Sequence, residues 1–129
     1  MSKELWDKGL AVRKEVLGAE YVERNLASAD DFNMPMQELV TQSCWGWLWA
    51  RPQMSRKMRS LINLGILSAL NRPHEFKAHM KGALTNGCSR EEIREVLHQV
   101  AVYCGMPAGV EAFRLAREAM KEYEQEKRS

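Results

Sequence analysis

Three cysteines, Cys44, Cys88 and Cys104, are all the thiols the sequence has, and no two form a C-x-x-C pair. An odd count at such spacings excludes a disulfide framework and a zinc ribbon. Each thiol then reads as a small, mostly apolar side chain. Long hydrophobic runs are missing as well. The longest, Leu61–Leu70, is interrupted by Asn63 and Ser68 and is too short to span a bilayer. The opening "MSKELWDKGL" has charges where a secretory signal would need its apolar segment. The formal charge is only +2 and is spread along the chain, so no cationic cluster suggests a nucleic-acid surface. These absences leave a cytoplasmic protein without membrane or nucleic-acid partners as the expectation.

What is present is helical periodicity. At 129 residues, with 45% hydrophobic and 28% charged, the chain is expected to fold as one domain, residues 1–129. Turn residues fall between periodic segments, and no stretch alternates with a convincing period of two. The spacing predicts a first helix over Lys3–Leu17, stopped by Gly18, and a short second one from about Glu20 to Ala27. "SADD" follows as a loop and start signal. A third helix is expected over Phe32–Ala50. At 100° per residue its stripe is Met36, Leu39, Val40, Cys44, Trp47 and Leu48, with Trp45 and Trp49 on the opposite side. That second aromatic face is expected to meet another subunit or a ligand, since monomers rarely leave such area in water; a helix buried all round is the alternative.

Ser55 is placed to cap a fourth helix, Arg56–Leu70, whose "LINLGILSAL" has so few polar positions that it reads as the central helix. A fifth runs over His74–Asn86 and ends at Asn86-Gly87. Ser89-Arg90-Glu91-Glu92 is a capping box opening a sixth, with Ile93, Val96, Leu97, Val100, Ala101 and Cys104 in 3.6-residue register and Gly105 as its stop. Pro107 opens the last, with Ala112, Phe113, Ala116, Met120 and Tyr123 as its stripe. "KEYEQEKRS" reads as a solvated, frayed tail. The fold class is therefore all-α, with six or seven helices.

"PHEFKAH", residues 73–79, is the stretch richest in chemistry. It resembles the zinc motif H-E-x-x-H, but the histidines are five residues apart. Five residues turn a helix by about 500°, leaving His74 and His79 about 140° apart around the axis, so they cannot chelate one ion. No metal is expected. Glu75 and His79, four apart, do share a face. Phe76, Met80 and Ala83 form the apolar stripe, with His79 at its margin and His74, Lys77 and Lys81 pointing to solvent. A carboxylate one turn before such an imidazole orients it and holds it protonated, the form of a general acid. An ordinary surface pair, contributing a few tenths of a kcal/mol, is the competing account.

Arg51, just past a helix end and near Trp49, has the fork to grip a carboxylate; a C-terminal helix charge is the alternative. Arg56 and Arg59 open the fourth helix against the helix dipole, which suggests a partner for Arg59, with a solvated face as the equal alternative. Tyr103 lies beside its helix's stripe, a core position by spacing, and His98 falls on the polar side.

Taken together, "WGWLWARP", "RSLINLGILSALNRPHEFKAH" and "ALTNGCSREEIREVLHQVAVYCGMPAG" resemble the γ-carboxymuconolactone decarboxylase family, over about Val12 to Ala116 and in the family's order. The resemblance implies an alkylhydroperoxidase D-like fold, assembled as an oligomer, usually a hexamer of intertwined dimers. It implies cofactor-independent loss of CO₂ from 4-carboxymuconolactone, a lactone dicarboxylate, giving β-ketoadipate enol-lactone in protocatechuate catabolism. Related peroxidases carry C-x-x-C three residues before a histidine. Laid on His79, those cysteines fall on Arg72 and Glu75, so that thiol chemistry has no residues here. The implied reaction assigns proton donation to His79, its orientation to Glu75, a carboxylate clamp to Arg51 with Arg59 as second candidate, and an apolar wall to Trp45, Trp49 and Tyr103. Two other readings stay open: a thiol peroxidase relative using Cys88 or Cys104, and a non-enzymatic helical oligomerisation or binding module.

Overall fold

The computed structural model describes residues 2–129. The chain groups into two compact units, Met1–Ser55 and Arg56–Ser129, taken here one at a time. The described residues form seven α-helices and one π-helix, and no strand. The all-α expectation holds.

In the first unit α1 (Lys3–Leu17) begins at Ser2, whose hydroxyl accepts from the Leu5 amide, and ends at Gly18 with φ +95°. Only a residue without Cβ takes that conformation freely. After α2 (Ala19–Ala27), Asp30 accepts from the amides of Phe32 and Asn33 while Asn33 accepts from the Asp30 amide, a compact turn before α3 (Met34–Leu39). There the expected long third helix changes winding. Val40–Trp49 is a π-helix, ten residues of wider turns. It packs along α1 at backbone contact. A Cβ on Gly9 would lie 1.9 Å from the Thr41 carbonyl oxygen, and one on Gly46 would lie 2.5 Å from that of Leu5.

The expected faces are exchanged. Trp45 and Trp49 are buried with Val12 and Val16, whereas Met36, Leu39, Trp47 and Leu48 are exposed. The π winding shifts the bearings of the residues after Val40 only; for Met36 and Leu39, which lie in α3 ahead of it, the wheel identified an apolar stripe but not which side α1 would cover.

In the second unit α4 (Arg56–Ala69), α5 (Pro73–Thr85), α6 (Arg90–Cys104) and α7 (Met106–Arg128) surround one core. Leu64, Phe76, Met80, Ile93, Leu97 and Ala116 are its centre. The local signals of α5 and α6 act as the sequence implies. The Cys88 amide bonds to the Ala83 carbonyl across Gly87 at φ +87°, a helix stop that needs a left-handed residue. The Ser89 hydroxyl accepts from the Glu92 amide at 3.0 Å, and the Glu92 carboxylate accepts from the Ser89 amide at 2.8 Å.

Three expectations need correction. On α4 only Ser60 and Leu64 are buried, while Met58, Ile62, Ile66 and Leu70 form an exposed line four residues apart. Its apolar composition marks a two-sided helix, not a central one. The C-terminal segment is helical to Arg128. Lys77 and Lys81, expected to face solvent, reach across to α7: Lys77 bonds Glu122 at 2.6 Å and Lys81 bonds Glu122 and Glu126 at 3.0 and 3.1 Å. This ladder gives the polar tail a neighbour. No described helix is long and apolar enough to cross a membrane.

Candidate active site

His79 sits in the second turn of α5, between the buried Phe76 and Met80 and the polar edge of the helix. The residue is half-buried, but its Nδ1 is sealed from water. Burial drives its pKa down to about 4, because a cation in that environment loses solvation; the Glu75 carboxylate pulls the other way and does not win. Glu75 itself is exposed in the first turn. The imidazole is therefore neutral near pH 7, which corrects the expectation that Glu75 keeps it charged. Exposure weakens the field of Glu75 through water, whereas desolvation acts directly on the ring.

Arg59 is half-buried on α4, in the same unit as the Glu75–His79 pair. Tyr103, expected in the core by its spacing, is 81% exposed. It belongs to the rim of an open apolar groove of about 540 Å³ between α4 and α6, with Met58, Ile62, Val96 and Val100. Its position beside the stripe placed it at the margin of the core, and that margin is open here. His98 is on the surface, within 3.1 Å of Glu95 and against the Phe113 ring.

The first unit holds the remaining candidates. Trp45 and Trp49 are stacked, ring centroids 4.8 Å apart and planes at 29°. At 3% and 2% exposure they are a packed layer behind a surface, not the open aromatic face that the sequence suggested. Arg51 is exposed and lies 4.8 Å over the Trp47 ring, a cation–π pair that orients the guanidinium. Sequence reasoning missed Arg13. It is 5% exposed, and its Nη1 donates to Gln37 Oε1 at 3.0 Å and Thr41 Oγ1 at 3.2 Å. Nothing in "AVRKEV" distinguishes it from a surface cation.

All three thiols are free. Burial pushes Cys44 and Cys88 above the ordinary thiol range, away from the thiolate that peroxide chemistry needs. Among the described residues no three His, Cys, Asp or Glu side chains converge as a metal set.

A sequence profile of the Carboxymuconolactone decarboxylase family matches residues 35–118, which include α3, the π-helix and the whole of α4 to α6. The chain belongs to the carboxymuconolactone decarboxylase family. Its fold is accordingly alkylhydroperoxidase D-like. It is 46% identical over 112 residues to nitrosuccinic acid decarboxylase npaB of Metarhizium robertsii, covering 87% of this chain and 78% of that protein. It is 35% identical over 120 residues to 4-carboxymuconolactone decarboxylase of Acinetobacter baylyi, covering 93% and 90%. A shorter match, 41% over 44 residues, covers 34% of this chain and 92% of a Pseudomonas putida protein of the same description. Family membership makes this chain a carboxy-lyase relative; the two longer matches differ in the substrate their names carry.

Proposed function

We propose that the protein decarboxylates, without a cofactor, a small dicarboxylate whose leaving carboxyl group adjoins an oxyanion-forming electron sink. In 4-carboxymuconolactone the leaving carboxylate sits on the saturated ring carbon next to a double bond that is conjugated with the lactone carbonyl. The C–C bond to CO₂ breaks, its electron pair moves into the ring as a dienolate, and a proton then adds to the carbon alpha to the carbonyl. The protein must hold the second carboxylate, steady the developing oxyanion and deliver that proton.

The observation that carries this reading is the half-buried imidazole of His79 beside the exposed Glu75 carboxylate, in a chain of this family. A neutral imidazole with a low pKa hydrogen-bonds an enolate oxygen well. It becomes an acid when a dianionic substrate arrives, because added negative charge raises its pKa. His79 supplies the proton, and Glu75 orients it. Arg51 holds the second carboxylate, with Arg59 as its alternative. Tyr103, exposed on the groove between α4 and α6, contributes apolar wall, whereas the buried Trp45 and Trp49 support the segment that carries Arg51. Assembly into a hexamer or a trimer of dimers would cover the exposed apolar residues Trp47, Ile62 and Tyr103.

A second substrate is favoured by one observation, the 46% identity to a nitrosuccinic acid decarboxylase. In nitrosuccinate the electron pair released with CO₂ moves into the nitro group as a nitronate, which is then protonated on carbon. The demands on the protein are the same: a retained carboxylate, an oxyanion and a proton donor. Assays on both acids in parallel, in EDTA and without thiol, decide between them. The higher kcat/KM identifies the substrate, and turnover of neither overturns the proposal.

A further inference from the structure

Among the described residues Arg13 is a buried cation whose hydrogen-bond acceptors are neutral oxygens, Gln37 Oε1 and Thr41 Oγ1. The titratable groups that act on its charge are Tyr21 and Cys44, neither of them a carboxylate. Its Nε is sealed from solvent and donates to no acceptor among the described residues. An unmatched donor and an uncompensated charge both weigh against folding, and an apolar side chain of similar length would fill this place at less cost. An arginine at position 13 is therefore costly to bury, and its two hydrogen bonds indicate what it holds.

Gln37 belongs to α3 and Thr41 to the first turn of the π-helix, so they straddle the junction at Leu39 and Val40 where the winding changes. π turns occur mostly as single-turn insertions, frequently at functional sites, so a ten-residue run needs support from outside itself. α1 provides it at two places one turn apart. The Thr41 carbonyl is seated on Gly9, where no Cβ would fit, and the Thr41 hydroxyl is held by Arg13. Downstream in the same wide helix, Trp45 and Trp49 stack and pack on Val12 and Val16 of α1.

We infer that Arg13 is a positioning residue: through Gln37 and Thr41 it fixes the start of the π-helix, and so the place of the Trp45–Trp49 pair. Its kinetic consequence rests on the proposed decarboxylase reading, in which Arg51, two residues beyond Trp49, holds the second carboxylate; its structural consequence does not.

Arg13→Met, Arg13→Lys and Thr41→Val separate the possibilities. The circular-dichroism couplet of the closely stacked indoles, assigned with Trp49→Phe, reports the pair independently of any substrate. For Arg13→Met the expected result is an unchanged or raised thermal midpoint, a weakened couplet and a kcat/KM lowered by roughly 10- to 100-fold, the scale of a displaced site. Thr41→Val should show the same couplet change more weakly, and Arg13→Lys should retain part of the couplet. An Arg13→Met protein with the wild-type couplet and kinetics overturns the inference. So does a lowered midpoint in Arg13→Met with couplet and kinetics intact in the other two, which makes Arg13 an ordinary stabilising residue. A raised KM with an intact couplet also overturns it, by making Arg13 a direct substrate contact. If the wild type turns over neither acid, the decarboxylase proposal fails, while couplet and midpoint still decide the clamp.

Discussion

At the scale of single residues, His79 makes the sharpest claims. Replacing it by Ala should lower kcat by roughly 10²–10⁴ if proton transfer limits the rate; an unaffected kcat removes it from the mechanism. Its low pKa also predicts a pH effect on stability. An unfolded imidazole takes up a proton near its ordinary value of 6.5, whereas the folded one waits until about 4. Between these values the unfolded state binds more protons, so stability falls as the pH drops through that window. The loss is on the order of 3 kcal/mol by pH 4. Denaturant titrations of wild type and His79→Gln at pH 7 and pH 4.5 measure it, and equal pH dependence in the two would refute the assignment. For Arg51, Ala should mainly raise KM. Unchanged substrate affinity would exclude the clamp role.

At the scale of elements, α5 carries both chemistry and core. Phe76 and Met80, at 1% and 0% exposure, anchor the helix that presents His79. Met80→Ala should cost about 2–5 kcal/mol by leaving a cavity, measured by urea unfolding. The Lys77–Glu122–Lys81–Glu126 ladder lies nearer the surface. Glu122→Gln should therefore cost at most about 1 kcal/mol, and less as salt is added. The stops and starts of α5 and α6 were legible because Gly87 and the Ser89–Glu92 box act within a few residues of chain. The winding of residues 40–49 was not. It depends on Gly9 admitting the Thr41 carbonyl across 32 positions of sequence, and neither "KGL" nor "VTQSC" carries that fact.

At the scale of the whole molecule, assembly is the main expectation. Trp47, Phe32, Ile62, Tyr103 and Val110 are exposed side chains of the kind that interfaces bury. Sedimentation or light scattering should find a mass several times 14.8 kDa. A monomer at micromolar concentration would require another cover for these residues. The line Met58–Ile62–Ile66–Leu70 explains the misreading of α4: apolar content distinguishes a helix that is covered twice from one that is not, but it does not say which neighbour does the covering.

By itself the sequence determined the all-α class, the stop of α5 and the start of α6, the shared face of Glu75 and His79 and the family, because each is written in spacings of three to five residues or in a long ordered resemblance. Only the tertiary structure decided that Trp45 and Trp49 are buried, that Arg13 is buried against neutral acceptors, that Lys77 and Lys81 face α7, and that His79 is neutral. The physical reason is common to all four. Burial, field and helix winding depend on which distant backbone and side chains come into contact, and desolvation then outweighs the local charge that a reading of neighbours in sequence would trust.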